Sequence, residues 1–130
     1  MIKVLTLNDR ICAHRDNAGH ATEVPPNARL LFCNGQVGAR IDGTVPGDVG
    51  EQVEICFERI RVILKASRMG FQDIVKITVY FTAAAHLDHF YRIRPRFMGE
   101  HNPPVVLLCV GPFPRPGVAI EIEIVAAKAD

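Results

Sequence analysis

The stretch Ile120-Glu121-Ile122-Glu123-Ile124 alternates strictly between aliphatic and acidic side chains. Successive side chains of a β-strand point to opposite faces of a sheet, so this stretch predicts a strand with isoleucines facing the core and glutamates facing away. The segment Val105–Val110 is apolar at every position and predicts a second strand, buried on both faces. The chain is therefore expected to build a sheet whose two faces differ in chemistry.

An amphipathic helix is predicted over residues 49–67, where apolar side chains recur at helical spacing with basic residues between them. Asp48 and Glu51 have the spacing of a capping box at its start. Gly70 stands where a left-handed residue is expected at its end. A second helix is indicated over residues 87–98, although Pro95 should kink or divide it.

The remaining strand signals lie on either side of these helices. Residues 74–82 are β-branched and aromatic, and alternation places Val75, Ile77, Val79 and Phe81 on one face. Two more strands are predicted at Ile2–Leu7 and Arg29–Cys33, and Asp42-Gly43 predicts a tight turn with positive φ. The sequence therefore predicts one α/β domain over residues 1–130 that contains both helices and strands.

Composition narrows the class of protein. The chain has 130 residues, a formal net charge of +1 and a hydrophobic fraction of 48%, which fits one globular domain and gives little reason to expect nucleic-acid binding. No apolar run is long enough for a membrane span, and the N-terminus is not typical of a signal peptide, so a cytoplasmic location is expected. The four cysteines form no C-x-x-C pair and are expected to be reduced thiols, most of them buried.

The predicted sheet has more apolar surface than two helices can cover. Two helices shield one face of a small sheet, so the apolar residues on the other face of residues 105–110 need a cover that the chain does not supply. An oligomer is therefore expected. Glu121 and Glu123 then point toward an interface, where a carboxylate is costly unless it is paired, solvated or used in chemistry.

A series of short motifs in this order resembles the RidA (YjgF) family over roughly residues 17–127. The matching segments are Asn34-Gly35-Gln36-Val37-Gly38, Gln52, Gly70-Phe71-Gln72-Asp73-Ile74-Val75-Lys76, Pro103-Pro104, Phe113-Pro114 and Ile120-Glu121-Ile122-Glu123. The resemblance implies an α+β, chorismate-mutase-like fold with a mixed sheet of about six strands, two helices on one face, and a homotrimer with clefts between subunits. It also implies cofactor-independent hydrolysis of small enamines or imines, with no metal.

The resemblance implies roles for particular residues. Glu121 matches the glutamate that positions the attacking water and is the candidate catalytic residue. Asn34, Gly35, Gln36 and Tyr91 fall at substrate-binding positions. The arginine that holds a substrate carboxylate in the family falls on Val105, and the family tyrosine falls on Ala21, so we expect a substrate that is neutral or apolar there. By alternation, Leu107 and Cys109 should line the cleft beside Val105. Cys109 can act there as a nucleophile if its thiolate is stabilised, but inert packing is the favoured interpretation.

Other candidates stay open. His20 can serve as an acid or base near neutral pH or be a solvent-facing loop residue, and Arg40 and Arg115 are candidates to replace the missing anion anchor. His86 and His89 have a metal-chelating spacing but are better interpreted as a surface helical turn. Arg92, Arg94 and Arg96 do not share one helical stripe, and a solvated face is expected. The favoured function is a deaminase-type hydrolase; a non-catalytic binding trimer is the alternative, and a ribonuclease is less favoured.

Overall fold

The structure is a computed structural model that describes residues 1–130. It contains seven strands and two α-helices in the order β1, β2, β3, β4, α1, β5, α2, β6, β7. The strands are β1 (Lys3–Leu5), β2 (Ala21–Glu23), β3 (Arg29–Phe32), β4 (Gln36–Val37), β5 (Ile74–Phe81), β6 (Val105–Cys109) and β7 (Ile120–Lys128), and the helices are α1 (Val49–Ala66) and α2 (Leu87–Met98).

Five of the strands form one mixed sheet in the order β3-β7-β5-β6, with β4 pairing β7 beyond the end of β3. Only β5 and β6 run parallel, because α2 carries the chain back between them. The other two strands, β1 and β2, pair with each other in a separate antiparallel ribbon. The predicted α+β fold with two helices and a mixed sheet is confirmed, and β2 and β4 are strands that sequence periodicity did not indicate.

The central strand β7 has the two-faced character that its alternation predicts. Ile120, Ile122 and Ile124 are at most 2% exposed and belong to the core, whereas Glu121 and Glu123 are half-buried on the other side. The core fills the space between this side of the sheet and the two helices, with Phe57 stacked on Phe90 and Phe97 at its centre. The helices therefore cover one face of the sheet and leave the other open.

Two details of the predicted strands and helix ends are wrong. An irregularity in the β5–β7 pairing between Ile74 and Lys76 shifts the alternation, so Ile74 is buried in the core and Val75 is not. At the end of α1, Gly70 has an extended backbone, and Arg68 adopts the positive φ of 57° instead. The predicted turn at Gly43 is present, with a φ of 90°.

The predicted helices form with modified ends. The Asp48 side chain accepts a hydrogen bond from the Gly50 amide, but Glu51 turns outward to an ion pair with Arg40, so the predicted capping box is only half formed. Pro95 lies inside a single α2 and does not divide it, contrary to that alternative. Neither helix combines the length and the apolar character that a membrane crossing needs.

Candidate functional site

The face of the sheet opposite the helices is called the open face. Residues that pair directly across neighbouring strands point to the same side of a sheet, so the strand register defines which side chains it carries. These are Leu30, Phe32, Val37, Lys76, Thr78, Tyr80, Val106, Leu108, Glu121, Glu123 and Val125. The face combines exposed apolar residues at both edges with polar and acidic residues in the middle.

Glu121 lies between Val37 of β4 and Tyr80 of β5. Its carboxyl group packs directly on the backbone of Gly35, where a Cβ atom would lie only 2.7 Å from the Glu121 carboxyl carbon. Glu121 is in no ion pair. Desolvation, and to a lesser extent the charge of Glu123, raise the pKa of the Glu121 carboxyl above its ordinary value. A carboxylate with a raised pKa and an open side is suited to proton transfer.

Tyr80 and Glu123 form a hydrogen-bonded pair beside Glu121. The Tyr80 hydroxyl donates to Glu123 Oε1 in a short hydrogen bond across the two strands. This bond, with added contributions from desolvation and the carboxylate charges, raises the pKa of Tyr80. The sequence predicted that Glu123 shares a face with Glu121, but it did not indicate Tyr80 as the hydrogen-bond partner of Glu123.

The segment Asn34-Gly35-Gln36 approaches the site in a different way from the one predicted. Asn34 is exposed, and its Oδ1 accepts a hydrogen bond from the Gly35 amide. Gln36 pairs with Ile122, so its side chain is buried on the helix side, where its Nε2 donates to the Asn34 carbonyl. Asn34 and Gly35 therefore lie next to Glu121, whereas Gln36 supports this loop from the helix side of the sheet.

The predicted orientation of Val105, Leu107 and Cys109 is wrong. In parallel β6 these residues pair with Ile77, Val79 and Phe81, which point into the core. Val105 and Leu107 pack against that core, and Cys109 is exposed at the end of the same edge strand. The alternation was correct, but the sequence alone did not fix which set faced the open side; Val106 and Leu108 occupy it.

A pocket of about 530 Å³ lies beside the start of β6. Its lining includes both positions at which the family arginine and tyrosine are expected, Val105 and Ala21, together with His20, Thr22 and Lys76. Val125 of β7 also lines it. Glu121 lies four residues earlier on the same strand, or roughly 13 Å away at ~3.3 Å per residue. Within one protomer the pocket and the carboxylate are separate.

The side chains of His20 and Tyr91 are engaged in contacts within the fold. His20 Nδ1 accepts a hydrogen bond from the Leu7 amide at 3.0 Å, which places the remaining ring proton on Nε2, 3.1 Å from the Cys12 carbonyl. Both ring nitrogens are therefore occupied in holding the N-terminal segment. Tyr91 packs on the helix side under the Arg15 guanidinium, and burial raises its pKa. Neither side chain lies near Glu121.

Arg40 and Arg115 lie together, but away from Glu121. With Arg59 and Gln36 they line an open pocket of about 610 Å³ on the side of the sheet that carries α1. Arg40 donates to Thr44 and Glu51, and Arg115 makes a long contact of 3.4 Å with the Gly43 carbonyl. Both arginines therefore line the side of the sheet opposite the face that carries Glu121.

The arginines of α2 do not share one environment. Arg94 is only 7% exposed and pairs closely with Asp16, which corrects the expectation of a solvated face. Arg92 contacts His89, and Arg96 forms an ion pair with Glu54. The apolar neighbours of Arg94 at helical spacing were the signal that its side chain points inward. The Asp16–Arg94 pair fastens the N-terminal segment to α2.

Gln52 is the other buried polar residue that holds the site together. Its Nε2 donates to the carbonyls of Pro46 and Gly117, and its Oε1 accepts from the Ala119 amide. These three bonds fix the chain where it enters β7, immediately before Glu121. The Gln52 backbone also lies against Gly38, where a Cβ atom would lie 2.5 Å from the Gln52 Cα.

The fold and the site define a class: a small α+β protein with one helix-covered sheet face and an open face that carries an unpaired carboxylate. The sequence model of the endoribonuclease L-PSP family matches residues 18–128 of the chain. A RutC family protein of Pyrococcus horikoshii is 31% identical over 76% of this chain and 79% of its own length. The chain therefore belongs to the endoribonuclease L-PSP family, which is the RidA (YjgF) family that its motifs resemble.

Solved structures support the same fold. A member of the conserved Rid protein family from Yersinia pestis has a TM-score of 0.85 at 20% identity and covers 98% of both chains. The structure of TdcF from Escherichia coli with bound serine has a TM-score of 0.72 at 24% identity and covers 98% of this chain and 100% of that one. The name of TdcF proposes a reactive intermediate deaminase, so names within the family point to two different chemistries.

Proposed function

We propose that this protein is a cofactor-independent hydrolase of the enamine or imine deaminase type, acting on a small metabolite. The observation that carries the proposal is Glu121: a half-buried carboxylate on the open face, without an ion pair, with a raised pKa and a neighbour at Gly35 too close to admit a side chain. In this proposal Glu121 accepts a proton from water, and the water oxygen attacks the carbon of the C=N bond.

The reaction site is proposed to form between subunits of a homotrimer. Leu30, Phe32 and Leu108 leave 55%, 72% and 43% of their surfaces exposed on the open face, which is an apolar area that association would remove from water. The pocket beside Val105 and the carboxylate of Glu121 lie at opposite ends of the sheet. A second copy is needed to bring a pocket of one protomer to the Glu121 of another.

The substrate is proposed to be neutral or apolar where it meets Val105. A bidentate guanidinium is the usual means of holding a carboxylate, and each of its charged hydrogen bonds contributes roughly 1.5–3 kcal/mol. Val105 and Ala21 line the same pocket, so this pocket lacks both the arginine and the tyrosine that the family has at these positions. The Asn34 amide, exposed next to Gly35, is the proposed donor that polarises the substrate.

The test is a coupled ammonia-release assay with enamines generated in situ. The purified protein is compared with Glu121→Gln, with Val105→Arg, and with Glu100→Gln as a matched control at an exposed glutamate. We expect activity in the wild type and in the control, and a loss of at least about 100-fold in Glu121→Gln, within the range for losing a general base. A wild type no faster than buffer on every enamine tested contradicts the proposal.

The oligomeric state provides a second test. Sedimentation analysis should give a trimer for the wild type, and Phe32→Lys should dissociate it because the lysine introduces a charge into an apolar contact. Val62→Lys is the control, since Val62 is similarly exposed but lies on the outer side of α1. A monomeric wild type that is fully active would contradict the intersubunit site.

A non-catalytic binding trimer is the second candidate function. The observation that favours it is the same pocket, which lacks both groups expected from the family at Ala21 and Val105. The assay distinguishes the two, because a binding protein would release no ammonia and would keep its ligand affinity in Glu121→Gln. A ribonuclease is disfavoured by the two unpaired carboxylates on the open face, which repel phosphate groups.

A further inference from the structure

The open face carries two carboxylates that form no ion pair. Glu121 and Glu123 are two residues apart on β7, or about 7 Å between Cα atoms, and neither takes part in an ion pair. The basic residue on the same face is Lys76, which pairs opposite Val125. Across the two strands it is a diagonal neighbour of Glu123, roughly 7–8 Å away, yet the two side chains form no ion pair.

Tyr80 orients the Glu123 carboxylate. Its hydroxyl donates a hydrogen bond to Glu123 Oε1 across the two strands, which fixes the direction in which the carboxylate points. The titratable groups that face this point are Tyr80 and Lys76 from β5 and Glu121 and Glu123 from β7, and β4 contributes none. From the other side of the sheet, the thiols of Cys33 and Cys56 and the Arg59 guanidinium approach this region. Burial raises the pKa of both thiols, that of Cys56 to about 12.

Association would make this arrangement costly. Covering the open face with a second copy removes water from both carboxylates, and a buried charge without a partner is strongly unfavourable. An anionic ligand would add a third negative charge, whereas a cationic ligand would neutralise part of the existing charge. The arrangement therefore selects the charge of the ligand.

We infer that Glu123, positioned by Tyr80, is a specificity-determining residue that binds the positively charged nitrogen of a protonated imine lacking a carboxylate group. This inference rests on the proposed hydrolase function, because it assigns the substrate class of the same site. Glu121 and Glu123 then have different roles: Glu121 accepts a proton from the attacking water, and Glu123 binds the nitrogen of the C=N group.

The reaction balances without any further reagent. Water attacks the iminium carbon, the C–O bond forms, the C=N π electrons move to nitrogen, and Glu121 takes one proton from the water. Glu121 then returns a proton to the nitrogen of the carbinolamine, and the C–N bond breaks as ammonia leaves. The hydroxyl proton moves to the departing ammonia, so an iminium ion and water give a carbonyl compound and an ammonium ion.

The experiment uses a matched pair of imines made in situ. Oxidation of isobutylamine gives an imine without a carboxylate, and oxidation of valine gives the same carbon skeleton with one. We expect the wild type to release ammonia from the isobutylamine imine with a kcat/KM at least about tenfold higher. Glu123→Gln and Tyr80→Phe should remove that preference through a raised KM, with kcat changed much less. Equal kcat/KM values for the two imines in the wild type would overturn the inference.

A binding measurement separates this inference from the proposed function. Pyrrolidine is a stable cyclic amine that carries a positive charge at neutral pH, and tetrahydrofuran is its uncharged isostere. Each ligand is titrated into the wild type, Glu121→Gln and Glu123→Gln, and binding is followed by NMR. Binding of pyrrolidine that is weakened at least about tenfold by Glu123→Gln, while tetrahydrofuran binds equally to both, supports the inference even if no imine is hydrolysed. Ammonia release without any preference for pyrrolidine supports the hydrolase alone and overturns the inference.

The second measurement on the same variants is the oligomeric state. If a cation from a neighbouring copy neutralises Glu123, Glu123→Gln should weaken association and leave pyrrolidine binding unchanged. That result would also overturn the inference, because the charge would then serve assembly and not ligand selection.

Discussion

The two faces of β7 are built from alternate residues of one strand, yet they serve different purposes. On the helix-covered face Ile120, Ile122 and Ile124 are sealed in the core, whereas on the open face Glu121 and Glu123 keep solvent contact and have no ion-pair partner. The covered face supplies the hydrophobic free energy of folding, and the open face carries groups that cost free energy when they are desolvated. Changes on the first should therefore alter stability, and changes on the second should alter function.

The largest effect is expected from removing a core side chain. Ile122→Ala should lower the free energy of unfolding by about 2–5 kcal/mol, because it leaves a cavity under α1. Thr78→Ala on the open face should cost less than about 1 kcal/mol, since Thr78 is half-buried and lies outside the core. Urea denaturation of both variants measures the difference. Similar losses for the two would contradict the distinction between the faces.

Gln52 fixes the chain at the start of β7 from the helix-covered side, and its loss should be nearly as damaging. Gln52→Leu keeps the volume but leaves the Pro46 and Gly117 carbonyls and the Ala119 amide without their partner. Buried groups left unpaired cost about 1–3 kcal/mol each, so we expect a loss of about 3 kcal/mol or more. Gln72→Leu, at an exposed glutamine, is the control. Unchanged stability of Gln52→Leu would mean that water replaces its bonds.

A change at Gly35 should affect the open face alone. In Gly35→Ala the new methyl group would lie within 2.9 Å of Glu121 Oε2, so the carboxylate must move. A displacement near 1 Å can lower kcat/KM by about 10- to 100-fold, and we expect that range for ammonia release. Gly111→Ala is the matched control, because a Cβ there meets nothing within 4 Å. Equal activity of the two variants would mean that Glu121 does not need this contact.

Periodicity predicted the helix-covered face of the sheet well. The alternation of residues 120–124 and the helical spacing of residues 49–67 reflect burial directly, so both elements were located from the sequence. The error at Val75 arose because an irregular pairing in β5 breaks a strict alternation, and the error at Gly70 arose because Arg68 takes the left-handed conformation. Such local departures depend on tertiary packing, which periodicity does not report.

The open face was predicted less completely, and the reason is also physical. An edge strand that is apolar at every position, such as Val105–Val110, has two equivalent interpretations. Only its register with β5 shows that Val106 and Leu108 lie on the open face. The hydrogen bond between Tyr80 and Glu123 joins residues 43 positions apart, so no local pattern could indicate it. Glu121 was singled out because alternation and family resemblance both indicate it, and its role stays a prediction.

The smallest predicted effect concerns the charge of Glu121. Its folded pKa is raised, so ionisation is harder in the folded state than in the unfolded chain, and the carboxylate lowers stability once the pH rises above both pKa values. Glu121→Gln removes that cost and should be more stable than the wild type at pH 7, by less than about 1 kcal/mol because solvent screens the half-buried group. Near pH 3 the two proteins should have the same stability, since the carboxyl group is then protonated in both states. Thermal denaturation at the two pH values, with Glu100→Gln as the exposed control, measures the difference. A variant less stable than the wild type at pH 7 would mean that the carboxylate anchors the Gly35 segment, and the open face would then contribute to folding as the covered face does.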